Sequence, residues 1–251
     1  MKLSSISDVH ITPNNPERFN LFKKFCESKE VQESNIVVLL GDIFDIMIGN
    51  KKGYIRKYNE FFQLIGQLLK QDKKLYIVEG NHDFHTKELF YDYISKNFPE
   101  YINLLIHVKN ETSILLNGKK IYVGHGDILD HKNDAFKRWK VIYSSKSFKF
   151  FVEKILPFSL VEYLGHRASR NSKKRSKSSF NYKEAQDKYR DGFHELVSKE
   201  EYDIVLTGHT HIKEDYTFKN TKLLNNGFFP STKEFIYIDE QTSSLVKLEE
   251  S

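Results

Sequence analysis

Five short runs of apolar or small residues in this chain each end in a cluster of Asp, Asn and His. KLSSIS (2–7) runs into DVH, and NIVVLL (35–40) into GDIFD. KLYIV (74–78) runs into EGNHD, KKIYV (119–123) into GHGD, and YDIVLT (202–207) into GHTH. Runs of four to six apolar residues bounded by turn residues read as strands buried on both faces. Carboxylates at the mouth of a buried strand are costly unless something offsets their charge. The carboxyl ends of strands are also where open α/β sheets bind ligands.

Helical spacing separates these strands. PERFNLFKKFCES (16–28) carries one such pattern. RKYNEFFQLIGQLLKQ (56–71) carries another, with Phe61, Phe62, Leu64, Ile65, Leu68 and Leu69 on one face. Strand, loop, helix, strand implies parallel strands under crossover helices. TSILLNGKKIYV predicts a hairpin turning at Asn117-Gly118, a pair suited to type I′. The tail alternates and predicts antiparallel strands turning at Asn226-Gly227. The fold class expected is α/β (α+β). A length of 251 residues fits one domain over residues 1–251, with a helical, lid-like insert at about 131–198.

Composition narrows the functional classes. The single cysteine, Cys26, excludes a disulfide framework within the chain and a thiolate-held metal cluster. No run of about 18 apolar residues predicts a membrane span. The start, MKLSSISDVHI, lacks the apolar core of a signal peptide, so a cytoplasmic chain is expected. Net charge is +5, but Phe136 to Lys177 holds twelve Lys/Arg against Glu153 and Glu162, a local +10. A regional excess of this kind points to an anionic partner: a phosphate-bearing substrate, a membrane surface or nucleic acid.

A lone Asp-x-His, or GNHD alone, is more often a turn than a site. Five such clusters at five strand ends are hard to assign to chance. Oxygen and imidazole donors without thiolate suit Mn, Fe, Zn or Co. About seven donors exceed one ion and fit two divalent ions clamping a phosphoryl displacement, with Asp42 as the bridging carboxylate.

The order Asp-x-His, Gly-Asp-x-x-Asp, Gly-Asn-His-Asp, Gly-His-Gly-Asp, Gly-His-Thr-His resembles the calcineurin-like metallophosphoesterases over residues 1 to about 240. That resemblance implies a two-sheet β-sandwich flanked by helices. It implies one ion on Asp8, His10, Asp42 and His211, and a second on Asp42, Asn81, His125 and His209. It makes Asp42 and His82 the catalytic pair, His82 contacting phosphate and protonating the leaving group.

A narrower resemblance is to the UDP-2,3-diacylglucosamine diphosphatases of lipid A synthesis. It rests on GDIFDIMIG (41–49) and on RWKVIYSSKSFKFFVEKILPFSLVEYLGHRASRNSKK (138–174), with its R-x-N-S-K pattern. It implies Trp139 at an acyl site, Asn171 and Ser172 at the nucleotide or sugar phosphate, and Arg170, Lys174 and Lys177 at the diphosphate. A substrate-contacting acid after GHGD falls at Asn133 or Asp134. The chain departs from that family at His82, where arginine is common, and at Ser176 and Ser179. The substrate expected is a phosphorylated small molecule, a lipid-linked sugar nucleotide, met at the inner membrane surface by peripheral contact. Alternatives are a phosphatase or phosphodiesterase on a nucleotide or phosphoprotein, a nuclease (a nucleic-acid partner needs a long basic groove), and a non-catalytic scaffold. Within the insert, Phe148, Phe151, Ile155, Leu156, Leu160 and Leu164 are expected on one apolar face, and HRASRNSKKRSKSSF (166–180) as a helix end followed by loop.

Overall fold

The structure is a computed structural model describing residues 1–130, 134–179 and 181–249, without the side chains of 134–136 and 172–179. Asn133, and the side chains of Asp134, Ser172, Lys174, Ser176, Lys177 and Ser179, therefore lie outside the described residues.

Strands form where the buried runs predict them. In chain order they are β1 (Leu3–Ile6), β2 (Ile36–Leu39), β3 (Met47–Ile48), β4 (Lys74–Val78), β5 (Asp83–Phe84) and β6 (Leu105–Val108). They continue with β7 (Glu111–Leu116), β8 (Lys119–Gly124), β9 (Ile204–Thr207), β10 (Lys213–Phe218), β11 (Thr221–Asn226), β12 (Glu234–Ile238) and β13 (Ser243–Lys247). One sheet has the order β13-β12-β1-β2-β4-β6, a second the order β10-β11-β9-β8-β7, and β3 pairs with β5. β1, β2, β4 and β6 run parallel, as do β8, β9 and β11.

The two large sheets pack face to face through Leu3, Ile36, Val38 and Val78 from one, and Ile121, Val123, Leu206 and Leu224 from the other. This is the β-sandwich the family resemblance implied. The outer face of the first sheet is covered by α1 (Pro16–Glu27) and α2 (Asn59–Lys70). They bring Phe22, Phe25, Phe61, Phe62 and Leu69 onto Val37, Leu39 and Leu75. The outer face of the second sheet is covered by α5 (Tyr182–Lys199), whose Tyr189 and Phe193 pack on Tyr122, Val205 and Leu223.

Between β8 and that last helix run α3 (Asp134–Tyr143) and α4 (Phe158–Ser179), joined by a short helix Lys146–Phe150 and a π-helical turn Phe151–Ile155. Their seat is a small apolar cluster of Ile46, Ile48 of β3 and Phe84 of β5, with Tyr143, Val152 and Val161 from the insert.

Three local expectations need correction. The hairpin in the tail turns at Lys219-Asn220, between β10 and β11, where Lys219 has φ +52°; Asn226-Gly227 leads instead into a helical turn, Phe229–Thr232. The six-residue apolar face is not one face. Phe148 and Leu156 pack inward, whereas Phe151, Ile155, Leu160 and Leu164 are exposed. The helix breaks at Leu156-Pro157, where Leu156 is extended, so the residues on either side lie on separate helices that turn Val152 and Val161 in. Finally, 166–179 is helical throughout rather than a helix end and loop.

Candidate metal centre

Every predicted cluster sits at the carboxyl end of its strand, and both sheets contribute. β1, β2 and β4 deliver Asp8, His10, Asp42, Asn81 and His82. β8 delivers His125, and the loop after β9 delivers His209 and His211. The loops are laced to one another by the backbone. Asp8 N–H donates to Gly41 O (3.2 Å), His10 N–H to Asp42 O (3.0 Å) and Gly208 N–H to His125 O (2.7 Å).

The backbone bends hard at the donors themselves. Asp8, His10, Asp42, His209 and His211 have φ of +54°, +51°, +52°, +75° and +58°. Left-handed conformations cost L-residues roughly 1–2 kcal/mol each and persist only where surroundings over-determine them. Gly80 has another reason to be glycine: a Cβ there would lie 2.3 Å from Asp42 Oδ1 and 2.4 Å from Asp42 N.

The donor atoms gather in two groups around one carboxylate oxygen. In the first, His211 Nε2 is 3.3 Å from Asp8 Oδ1 and 3.1 Å from His10 Nε2, which is 3.8 Å from Asp42 Oδ2. In the second, Asn81 Oδ1 is 2.9 Å from His209 Nδ1 and 3.3 Å from His125 Nε2, which is 3.6 Å from Asp42 Oδ2. Ligands about 2.1 Å from one octahedral ion lie roughly 3 Å apart, so this spacing suits shared cations.

The protonation pattern fits as well. His125 Nδ1–H donates to Leu40 O (2.8 Å), which turns Nε2 toward two acceptors, Asp42 Oδ2 and Asn81 Oδ1. Burial opposes charging His125, yet Asp42 and Asp8 raise its pKa to about 10. The site thus draws positive charge into the place where a metal would supply it. His10, by contrast, is pulled down to about 3 by burial and by His82. A neutral imidazole is what a metal ligand requires.

His82 stands beside both groups. Its Nδ1–H donates to Asp45 O (2.8 Å), and its backbone N–H to Asp42 Oδ1 (2.9 Å). The Nε2 is left facing the centre, 4.0 Å from Asp42 Oδ2.

Several contributors were missed from sequence. The buried Asp83 carboxylate accepts backbone N–H groups from Asp42, Ile43, Phe44 and Gly80 at 2.7–3.1 Å and so shapes the Asp42 loop. Asn226 accepts from Ser7 N–H (3.0 Å) and donates to Ser7 O (3.1 Å), while Asn225 donates to Gly208 O (2.7 Å). They pin the residues just before Asp8 and His209. Asp130 lies 3.8 Å from His209 Nε2, and Asp127 pairs with Lys140 of α3 (2.5 Å). The Asn225-Asn226 pair at the end of a buried strand was the available signal for part of this.

Of the substrate residues expected from sequence, Asn81 and His82 stand in the donor site, while Trp139, Arg170 and Asn171 lie on the insert. Trp139 is 43% exposed and packs edge-on to Phe148; Arg170 and Asn171 are exposed on α4.

The calcineurin-like phosphoesterase family model matches residues 1–213. The chain belongs to that family. It is a metal-dependent hydrolase, and its donor set is the one place among the described residues where cations of that chemistry would be held. A UDP-2,3-diacylglucosamine hydrolase of Psychromonas ingrahamii is 25% identical over 84% of this chain and 81% of its own length. One from Wigglesworthia glossinidia brevipalpis is 24% identical over 86% and 82%. Among solved structures, an archaeal phosphodiesterase aligns over 98% of this chain and 99% of its own, at 13% identity and a TM-score of 0.48. Among the described residues, no helix is long and apolar enough to cross a membrane.

Proposed function

We propose that this phosphoesterase uses two divalent ions, Mn in the first instance with Fe, Zn or Co as alternatives, to hydrolyse UDP-2,3-diacylglucosamine to 2,3-diacylglucosamine 1-phosphate and UMP. The observation that carries the two-ion reading is the pair of donor groups meeting at Asp42 Oδ2. Relatives of that name, aligned over more than four-fifths of the chain, support the substrate.

The ions, when bound, supply an activated water and offset charge on the phosphoryl oxygens. Asp8, His10, Asp42 and His211 would hold one; Asp42, Asn81, His125 and His209 would hold the other. Asp42 Oδ2, 3.8 Å from a donor of the first group and 3.6 Å from a donor of the second, is the carboxylate oxygen both would draw on. His82 turns Nε2 toward the place of the phosphoryl group, because Nδ1 is committed to Asp45 O. It stabilises charge there and gives its proton to the leaving oxygen.

The insert supplies the lipid side. Among the described residues, every exposed large hydrophobic other than Met1, Leu115 and Ile128 lies between Trp139 and Tyr182. Trp139, Val141, Ile142, Phe150 and Phe151 offer apolar contact to acyl chains. The surrounding Lys and Arg, with Arg170 and Asn171 exposed on α4, would meet phosphates or an anionic membrane surface, and Ser172, Lys174 and Lys177 are assigned the same role from the sequence. Asn133 and Asp134 are assigned to the substrate with them from the sequence.

The test is purified protein loaded with Mn and assayed on UDP-2,3-diacylglucosamine, bis-p-nitrophenyl phosphate and an aryl monoester. The lipid nucleotide is expected to turn over with the highest kcat/KM. A preference for the monoester would overturn the substrate assignment and leave the family chemistry.

A further inference from the structure

His10 carries an unsolved problem in its own side chain. Nε2 points into the first donor group, 3.1 Å from His211 Nε2, so as a ligand it has no proton and Nδ1 must carry one. That Nδ1 is fully buried and has no hydrogen-bond partner. Buried N–H groups are almost always satisfied. Asp45 Oδ1 lies 4.0 Å from it, just beyond bonding distance.

The Asp45 carboxylate is itself held from the insert. His166 Nδ1–H donates to Oδ2 (3.2 Å) and Ser169 Oγ–H donates to Oδ1 (3.1 Å). Both donors come from the stretch of α4 that is pressed closest to the loops. Val161, Gly165 and Ser169 are buried at four-residue spacing, and a Cβ on Gly165 would lie 2.7 Å from Ile46 Cγ2. One carboxylate therefore stands between a helix of the insert and a candidate metal ligand.

We propose that Asp45 is a positioning residue that couples docking of the insert to the first metal site. With a cation on His10 Nε2, the ring turns slightly and Nδ1–H donates to Asp45 Oδ1. His166 and Ser169 hold the carboxylate where it can accept. Carboxylate–histidine–metal arrangements of this kind raise ligand basicity and fix the ring. Coupling is reciprocal: the metal tightens α4 against the loops, and anything that presses α4 down tightens the metal. A substrate that engages the insert thereby strengthens the centre that acts on it. The inference rests on His10 being a metal ligand, as proposed above.

Mn titration of the metal-free full chain by calorimetry, with hydrogen exchange of amides 161–169 in the same samples, separates the possibilities. Asp45→Ala is expected to weaken one of two sites by about 10–100-fold, the range for such outer partners. Ser169→Ala and His166→Ala weaken the same site by smaller factors. Both are exchanges for a strong helix former, and melting curves confirm that they fold. In the wild type, Mn slows exchange across 161–169, and in Asp45→Ala that slowing is lost. His10→Ala is the control. If it leaves two intact sites, the ligand assignment falls. If it loses one site while Ser169→Ala and His166→Ala bind Mn as wild type does, and Mn leaves 161–169 exchange unchanged, the coupling is overturned and the ligand assignment stands.

Discussion

The strand-end loops and the insert are built on opposite principles. The loops bury Asp8, His10, Asp42 and His125 to 2% exposure or less, bend the backbone into left-handed conformations, and lace themselves with hydrogen bonds. The insert rests on a seat of six buried apolar residues and a few polar ties. Lys51 Nζ donates to the Glu153 and Leu156 carbonyls, Asn50 N–H donates to Glu153 Oε1, and Lys57 pairs with Glu162. Much of its remaining apolar surface faces outward. Strain is kept where charge must be placed within a fraction of an ångström, and adaptable surface where a long, flexible ligand must be met. Substitutions in the first region should act on every substrate alike, and substitutions in the second should discriminate.

The largest effect is expected at the shared carboxylate. Asp42→Asn removes the charge that both donor groups lean on, so at least one metal is lost and kcat falls by several orders of magnitude on all substrates. Elemental analysis showing two metals per chain with near-normal turnover would break the comparison at its root. His82→Ala comes next. It should retain both metals and lower kcat by about 10²–10⁴, again irrespective of substrate. Metal loss in this variant would make His82 a ligand, a role its place beside His10 and Asp45 allows geometrically.

A smaller effect, on stability rather than rate, tests the packing of the loops. Gly80→Ala puts a methyl group against the Asp42 backbone, so the loop must move. Overpacking of this kind costs about 1–3 kcal/mol, to be read as a lowered melting temperature in the metal-free protein. An unshifted melting curve would show that the loops are looser than their hydrogen bonding indicates.

What could be read from the sequence divides along the same line. The strands, the Asn117-Gly118 turn and the place of the polar clusters at strand ends were legible, because period and turn chemistry are local properties. Asp83 was not. Its role is to accept four backbone amides, which looks in sequence like one more acid in a motif. Asn226 was misread as a turn residue because Asn-Gly is a strong local signal, and only tertiary contact shows its side chain bridging to Ser7. The insert was least legible. A π-helical turn and then a break at Leu156-Pro157 split the segment into separate helices, so the residues expected to share a face divide between the seat and solvent. Hydrophobic period predicts a face only while the helix keeps 3.6 residues per turn.

The smallest effect is the one that decides what the insert is for. Trp139 is half exposed and touches Tyr143 and Phe148, at ring-centroid distances of 5.7 and 6.0 Å. Its removal should cost only about 1–2 kcal/mol of stability, since much of its surface is already in water. If the exposed part meets acyl chains, Trp139→Ala raises KM for the diacyl sugar nucleotide several-fold. Hydrolysis of bis-p-nitrophenyl phosphate should stay almost unchanged, because the donor groups are elsewhere. Charge reversal at Arg170 should likewise weaken the diphosphate substrate more than the small diester. That loss should shrink in high salt, because the residue is exposed. An insert that is only a packed subdomain gives another pattern. Trp139→Ala would then lower both activities equally, in proportion to the fraction unfolded. Kinetics on the two substrates beside a melting curve distinguish the cases: a split in KM with kcat preserved supports a lipid-facing insert, and equal losses remove the insert from substrate recognition.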